Sequence, residues 1–301
     1  TYFISADDYY DGDNYATRLV GGDLVVYTPL YLSDIDPDAP LKWPLARRWI
    51  EEEGGGRVSP GVDLYGARDI YKPIQRTIDP VVHAVSVCPL TTQSGSGFDC
   101  RTTALVGPDS REFYVSGRDV YLWLSAPYED VLVGETPCAA DFAPGFEDSA
   151  PGALFRLPLK RVAPMAVRTR GYPKNQFALD ATATHFRALL DWVSAGCDDT
   201  QIGRSFRFLN FPLSSFSTSP RIVGEGRYAP VPGLAQRHYE NRFTDDYVVY
   251  GGRASWGTYA PDESEHEAGL SAEVVAVPTG APKKAVRLSL PHNVIRAERA
   301  G

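Results

Sequence analysis

Short runs of alternating and β-branched apolar residues fill most of the chain. The clearest example lies at 111–173, where two runs meet at Ser116–Asp119, a third ends at Pro158 and a fourth lies around Met165–Thr169. Runs of this length bounded by Gly, Pro, Asp and Ser are typical of strands joined by tight turns. The segment therefore predicts a four-stranded antiparallel meander.

Three other parts of the chain repeat this pattern. Their hairpin turns fall at Asp23, about Thr184 and Asp246, matching Asp119 in the clearest copy. The third run of each copy ends in an apolar residue followed by proline, at Cys88–Pro89, Leu157–Pro158, Phe211–Pro212 and Val277–Pro278. Proline suits a strand end because it removes no central ladder donor there. A unit of about 50–70 residues with four short strands is typical of propeller blades.

We therefore predict an all-β fold, a β-propeller of four-stranded antiparallel blades that forms one domain, or a fragment of a propeller, over 1–301. The blades are predicted at 15–108 with an insertion at 33–80, at 111–173, at 175–230 and at 239–291, with a partial blade at 292–301. A β-sandwich with long loops is the alternative architecture. Inside the insertion, Pro44 near the start of PLARRWIEEEGGG and Gly54 at its end predict a short helix, with loop around it.

The four cysteines include no CxxC pair. Cys88 and Cys100 flank a Gly/Ser-rich tip, and a hairpin there would place them opposite each other within disulfide range. Cys138 and Cys197 both follow the second strand of successive copies, so we predict a second disulfide between neighbouring blades. Two disulfides would indicate export, and four reduced thiols are the alternative.

Composition narrows the possible partners and locations. A net charge of −8 without a basic stripe argues against nucleic-acid binding. No apolar run approaches the roughly 18 residues of a membrane span, so we expect none within this chain. The chain opens with Thr1, which we interpret as the start of a mature or excised fragment. We expect a secreted, periplasmic or cell-surface protein.

An acidic segment near the start of the chain offers the one candidate metal site. Asp8, Asp11 and Asp13, together with Asp7 and Asn14, supply the oxygen ligands that Ca²⁺ prefers. Their spacing differs from that of an EF-hand loop, and a solvated acidic turn is the competing interpretation. No cofactor is therefore expected, and Ca²⁺ bound by this segment is the alternative.

Catalytic signals are sparse. The sequence has no G-x-S-x-G elbow, no HExxH pair and no glycine-rich phosphate loop. His238 and Glu240 would share one face of a strand, where they could act as a base and its orienting partner or as a structural pair. No residue is assigned a catalytic role.

The tryptophans offer the best residue-level indication of binding. Trp43, Trp49 and Trp256 belong to the insertion or to loops, where exposed aromatic side chains favour recognition. Trp123 and Trp192 lie on predicted strands and are expected in the core.

Several segments resemble bacterial secreted proteins that contain a C-terminal β-propeller domain. The motif Tyr172–Asp180 is similar to a "G-x-NQFSLDE" step of that family, and Phe186–Leu190 to an "LRVATT" strand. His292, Val294, Arg296, Glu298 and Gly301 match the family's closing "H-x-V-x-RIEALG" pattern. The resemblance implies an exported propeller of uncharacterised activity and transfers no catalytic residues.

These observations lead to two hypotheses about function. The first is a non-catalytic scaffold that binds a protein, peptide or glycan through its long loops, chiefly 33–80, 126–153 and 255–271. The second is a hydrolase or lyase with a site in the central propeller channel, assisted by Ca²⁺. An enzyme would bring several ionisable groups together in a pocket, whereas a binding module would present a broad surface that carries aromatic residues.

Overall fold

The computed structural model describes residues 2–4, 17–75, 77, 80–90, 100–125, 151–160, 162–194, 203–234, 238–253, 272–291, 294 and 296. Within these residues the chain forms 22 β-strands in five sheets and no α-helix. Six 3-10 turns occur, at Leu32–Asp34, Ala67–Asp69, Gln176–Ala178, Leu213–Ser215, Glu225–Arg227 and Pro282–Lys284. The prediction of an all-β fold is confirmed. In this part of the chain, no helix is long and apolar enough to cross a membrane.

Contacts divide the chain into two compact units. The described residues of the first unit lie within Thr1–Pro127, Gly152–Arg168 and Ser217–Pro220. Those of the second lie within Tyr128–Pro151, Thr169–Phe216 and Arg221–Gly301. Three sheets belong to the first unit and two to the second, with a boundary at Arg168 near the end of one strand.

Two sheets of the first unit follow the repeated pattern. One consists of β2 (Thr17–Val20), β3 (Asp23–Tyr31), β8 (Val81–Pro89) and β9 (Arg101–Gly107) in antiparallel order, with β7 (Ile70–Tyr71) added in parallel to β9. The other consists of β10 (Arg111–Val115), β11 (Asp119–Ser125), β12 (Pro151–Pro158) and β13 (Met165–Arg170). The meander predicted at 111–173 is thereby confirmed.

The second unit contains two more sheets of the same kind. In the first, β14 (Tyr172–Pro173) and β15 (Leu179–Ala181) pair one after the other with the same edge of β16 (His185–Ser194). β17 (Gly203–Pro212) and β18 (Tyr228–Val231) follow on the other side. The second consists of β19 (His238–Phe243), β20 (Tyr247–Arg253), β21 (Ala272–Pro278) and β22 (Val286–Leu290) in chain order.

In each unit a hydrophobic core joins the two repeated sheets. In the first, Val25 and Val85 of one sheet pack in one cluster with Leu122 and Phe155 of the other. In the second, Phe206 of β17 stacks near Tyr239 and Tyr250 of the neighbouring sheet, at ring-centroid distances of 5.1 and 5.4 Å. Such face-to-face packing buries the apolar side of both sheets.

One backbone hydrogen bond recurs in all four repeated sheets. The residue after the strand-ending proline donates its N–H to a carbonyl in the preceding hairpin turn. The pairs are Leu90 to Gly22 at 2.8 Å, Leu159 to Arg118 at 2.9 Å, Leu213 to Thr184 at 2.8 Å and Thr279 to Asp246 at 2.8 Å. In each sheet the proline lies opposite the first residue of the second strand. The turn and proline landmarks of the sequence therefore occupy equivalent positions in space.

Three of the four turns also share a hydrogen bond to a side-chain hydroxyl. Ser116, Thr182 and Thr244 each begin a turn, and each hydroxyl accepts an N–H of the following strand's first residue, at 3.0, 2.9 and 3.1 Å. Such hydroxyl turns satisfy backbone donors locally. The turn between β2 and β3 instead uses Gly21, whose φ of +62° lies in the left-handed region that glycine adopts without strain.

The fifth sheet, which we call the inserted sheet, is formed largely by the insertion at 33–80. Its strands are β1 (Tyr2–Ile4), β4 (Leu45–Glu52), β5 (Gly55–Val58) and β6 (Val62–Asp63), with β1, β5 and β6 all paired to β4. The helix predicted at PLARRWIEEEGGG is therefore wrong, and so is the interpretation of the rest of the insertion as loop. Residues 45–52 form a strand because three neighbours pair with its backbone.

The disulfide between Cys88 and Cys100 is confirmed. Val87 lies opposite Arg101 in the antiparallel β8–β9 pair, so the next position places the two cysteines opposite each other, with their Cα atoms 4.1 Å apart. Cys88 is completely buried. Cys138 and Cys197, the second predicted pair, lie outside the described residues, as do most of 292–301.

Candidate recognition surface

The two faces of β4 have different environments. Side chains alternate along a strand, so Ala46 and Ile50 share one face while Arg47 and Trp49 share the other. Ala46 is buried in a cluster with Leu30 of β3 and Val82 of β8, which attaches the inserted sheet to the neighbouring repeated sheet. The face that carries Trp49 points away from this cluster.

We call this second side the outward face of the inserted sheet. Strand register places Phe3, Arg47, Trp49 and Val58 among the side chains on it, because Phe3 pairs with Arg47 and Trp49 pairs with Val58. Three of them are large apolar residues with exposed fractions of 46% for Phe3, 36% for Trp49 and 41% for Val58. Contiguous exposed apolar side chains are typical of interaction sites.

Two glycines allow the outward face to take this shape. A Cβ atom at Gly56 would lie 2.3 Å from Cζ2 of Trp49, so the indole occupies the space over that glycine. A Cβ atom at Gly61, where φ is +103°, would lie 3.1 Å from Cγ of Arg47. Glycine at these two positions therefore leaves room for the side chains of Trp49 and Arg47 on the outward face.

Trp43 has a different position from Trp49. It is half-buried, and its ring meets Tyr65 edge-on with the centroids 5.5 Å apart. Both residues belong to the cluster under the inserted sheet. Edge-to-face contacts of this kind stabilise packing. Trp43 thus supports the surface from below, while Trp49 forms part of it.

Glu240, the second residue of the candidate His238–Glu240 pair, faces a cation. Its Oε1 lies 4.0 Å from Nζ of Lys174, and the same ammonium lies 4.5 Å from the centre of the Tyr239 ring. Asn241 donates to Oδ1 of Asn175 at 3.3 Å. The motif at 172–180 therefore connects β19 to the preceding sheet. His238 begins β19, the strand that contains Glu240.

The histidine of β8 is part of the core. Nε2 of His83 lies 2.9 Å from the Pro108 carbonyl, and its Nδ1 lies 2.7 Å from the Tyr27 hydroxyl. A carbonyl can only accept, so Nε2 carries the proton and Nδ1 accepts from Tyr27. Burial, together with the nearby charge of Arg111, lowers the pKa of His83 to about 3. A neutral, fully satisfied imidazole fits a packing role.

A buried ion pair stabilises the β11–β12 hairpin. Nη2 of Arg156 donates to Oδ2 of Asp119 at 3.0 Å, and Nε lies 3.0 Å from Oδ1. Burial, and then the Asp119 charge, raise the pKa of Tyr121 above its ordinary value. Arg156 thus neutralises the only carboxylate of the β11 strand and fixes strand register beside the turn.

The remaining predicted site residues lie outside the described residues. They are Trp256, Asp8, Asp11 and Asp13. Within the part of the chain that the structure describes, no three His, Cys, Asp or Glu side chains come together as a metal-ligand group. The Ca²⁺ hypothesis for the acidic segment therefore stays a prediction.

Sequence reasoning missed Phe3, Arg47 and Val58 as neighbours of Trp49. The signal that could have found Val58 is the run GGG between LARRWIEE and RVS, because a glycine-rich turn between two such runs also predicts a hairpin. Pairing β1 with β4 has no local signal, since more than forty positions separate them.

A scan against protein-family models finds no match for this chain, and neither does a search of curated proteins.

Proposed function

We propose that this chain is an exported β-propeller that binds a partner protein through the outward face of its inserted sheet. The observation that carries the proposal is the exposure of three large apolar side chains, Phe3, Trp49 and Val58, on one sheet face. The scaffold and its location are proposed from two further observations.

The recurring geometry of the four repeated sheets supports the propeller. Propeller blades are equivalent four-stranded sheets that pack face to face. Here the hydrogen bond from the residue after the proline to the turn carbonyl has the same position in each sheet. The segments that join the second and third strands differ between copies: 32–80, 126–150, 195–202 and 254–271. A regular scaffold with variable segments at one topological position suits recognition.

The Cys88–Cys100 disulfide supports an oxidising location. Structural disulfides persist in secreted and periplasmic proteins and are rare where thiols are kept reduced. Cys88 is fully buried and Cys100 half-buried, so the first of the two sulfur atoms is shielded from reductants.

The composition of the outward face favours a protein partner over a glycan. Trp49 has Val58 opposite it and Phe3 diagonal to it, so apolar side chains lie on both sides of the indole across the sheet. Trp and Arg are enriched at the energetic centres of protein interfaces, and Arg47 lies between Phe3 and Trp49 on this face.

Photo-crosslinking from the outward face tests the proposal. Val58 is replaced by a photoreactive phenylalanine analogue, and the protein is irradiated in the cells that produce it. We expect a protein adduct that is lost in Trp49→Ala, since a central Trp contributes roughly 2 kcal/mol, or about thirtyfold in affinity. Gly56→Ala should weaken the adduct too, because its Cβ displaces the indole while Trp49 is retained.

The matched control carries the same photoreactive residue at Val286, which is 52% exposed on a repeated sheet. It should give no Trp49-dependent adduct. Equal adducts from positions 58 and 286, or an adduct from position 58 that survives Trp49→Ala, would contradict the proposal. If the parent protein binds saccharides and the Trp49→Ala protein does not, the ligand of this face is a glycan and not a protein.

A further inference from the structure

The first unit contains a cleft at the edge of its first repeated sheet. The cleft has a volume of about 380 Å³, and its floor is the first part of β9, at Arg101, Thr102 and Thr103. Ligand sites in proteins commonly have volumes of about 300–1,000 Å³. The cleft is therefore large enough for a few residues of a bound chain.

The floor of the cleft is a strand edge that the protein covers only in part. On one side β9 pairs with β8 along its whole length. On the other side, among the residues that the structure describes, only β7 pairs with β9, at Ala104 and Leu105, and the 3-10 turn Ala67–Asp69 before β7 contacts β9 without a ladder pair. Alternate main-chain groups of a strand point to its two sides, so residues 101–103 direct backbone polar groups towards the cleft.

The two walls of the cleft differ in character. One carries Arg68 and Tyr71, both exposed, and the other carries Leu157, Pro158 and Val162, of which Val162 is 61% exposed. An extended peptide presents successive side chains to opposite sides, so it can place a polar group against one wall and an apolar group against the other. This alternation matches a strand and not a compact ligand.

The charge of the cleft selects the polar group. Two arginines, Arg68 and Arg101, line it against one carboxylate, Asp69. The guanidinium of Arg101 donates to the Leu159 carbonyl, which holds it at the cleft, and Asp69 accepts the N–H of Gly66 at 2.9 Å. Arg68 is exposed at the cleft, and its guanidinium can form bidentate hydrogen bonds with a carboxylate.

We propose that this edge cleft binds an extended acidic peptide segment, which adds to β9 in line with β7 and directs a carboxylate towards Arg68 and Arg101. About three residues of the segment would lie along Arg101–Thr103, a span of about 10 Å. Main-chain pairing supplies affinity and the alternating walls supply specificity, as in other strand-addition sites. The inference does not rest on the outward face of the inserted sheet, whose side chains are different.

The test uses the whole chain on an array of immobilised octapeptides of random sequence. We expect selected peptides to contain Asp or Glu next to β-branched or apolar residues. Two versions of the best peptide are N-methylated, each at one of the two sets of alternate residues. Only one version should lose binding, because N-methylation removes the backbone donors that face β9 and leaves the side chains in place. Arg68→Glu should weaken that peptide about tenfold, since attraction becomes repulsion.

Three further variants complete the test. Lys42→Glu makes the same charge change at an exposed position outside the cleft and should leave peptide affinity unchanged. Val162→Glu should weaken binding through the apolar wall. Trp49→Ala should have no effect on peptide affinity, so failure of the inserted-sheet proposal can be told apart from failure of this one.

Three outcomes would overturn the inference. The first is an array that shows no preference for acidic peptides. The second is equal binding of the two N-methylated versions of the best peptide. The third is equal affinity of the parent and Arg68→Glu proteins for that peptide. Circular dichroism of each variant confirms that the β-structure is retained.

Discussion

The repeated sheets and the inserted sheet are built from the same antiparallel hairpins but differ in burial. In β11 every residue from Asp119 to Ser125 is buried, whereas in β4 only Ala46 is. Cores cover both faces of the central repeated strands, while the inserted sheet packs on its neighbour through one face only. The comparison teaches that the repeat supplies rigidity and that the non-repeating sheet exposes side chains for contact.

The ion pairs of the two regions also differ in how far their side chains are exposed. Arg156 and Asp119 form a pair whose side chains are 23% and 4% exposed, while Arg57 and Glu52 on the inserted sheet are 58% and 51% exposed. Removing one partner of a buried pair leaves an uncompensated charge, whereas water replaces the partner of an exposed one.

The largest expected effect comes from this difference. Arg156→Met should lower the free energy of unfolding by about 3 kcal/mol, because the Asp119 carboxylate stays buried without its cation. Arg57→Met should lower it by at most about 0.5 kcal/mol. Urea unfolding of both variants measures the two values.

A second variant guards against a trivial loss of packing. Adding Asp119→Asn to Arg156→Met removes the buried charge and should recover much of the lost stability. Equal losses for Arg156→Met and Arg57→Met, or no recovery in the double variant, would show that burial does not separate the two regions as described.

The second effect is a pH dependence that belongs to the repeated sheet. The folded-state pKa of His83 is about 3, below the ordinary 6.5, so between these values the unfolded chain binds more protons than the folded one. Stability from this group is therefore complete above pH 6.5 and is lost as the pH falls. The loss should be about 2 kcal/mol between pH 7 and pH 5.

Comparison with a variant isolates this contribution from that of the carboxylates. His83→Phe keeps a ring in the core and removes the titrating group, so its stability should decline by about 2 kcal/mol less than that of the parent over the same range. Urea titrations at pH 7, 6 and 5 measure both profiles. Parallel profiles would refute the assignment of acid sensitivity to His83.

The smallest expected effect compares two glycines. A Cβ at Gly251 of β20 would lie 2.6 Å from Cγ2 of Val294, and a Cβ at Gly56 would lie 2.3 Å from Cζ2 of Trp49. Val294 is only 9% exposed, so Gly251→Ala should cost about 1–2 kcal/mol by overpacking. Trp49 can swing outward, so Gly56→Ala should change stability by less than about 0.5 kcal/mol.

Gly226→Ala is the control for the glycine comparison, because a Cβ there would meet no atom within 4 Å. Thermal unfolding of the three variants measures stability, and a red shift of tryptophan emission in Gly56→Ala reports displacement of the indole. A larger loss of stability for Gly56→Ala than for Gly251→Ala would reverse the comparison.

Local sequence signals predicted the repeated sheets well. The turns near Asp119 and Thr184, the strand ends at Pro158 and Pro212, and the pairing of Cys88 with its partner all depend on residues close in the chain or on one hairpin. Trp123 and Trp192, predicted in the core, are 0% and 2% exposed. Short-range chemistry and period-two alternation were sufficient for these features.

The inserted sheet shows where local signals fail. Apolar residues at Leu45, Ala46, Trp49 and Ile50 recur with helical spacing, which favours a helix when the segment is considered alone. As a strand, the same residues divide between a buried face and an exposed one. Among the candidate site residues, Trp49 was predicted, but its neighbours Phe3 and Val58 come from other strands.

The sequence by itself determined the repeat, its turns, its proline strand ends and its hairpin disulfide, because each arises from preferences of a few adjacent residues. Only the tertiary structure decided that residues 45–52 form a strand, that Trp49 is exposed while Trp43 packs on Tyr65, and that Arg101 shares a cleft with Arg68. The physical reason is that backbone hydrogen bonds and burial depend on partners distant in the chain, and these override local propensity.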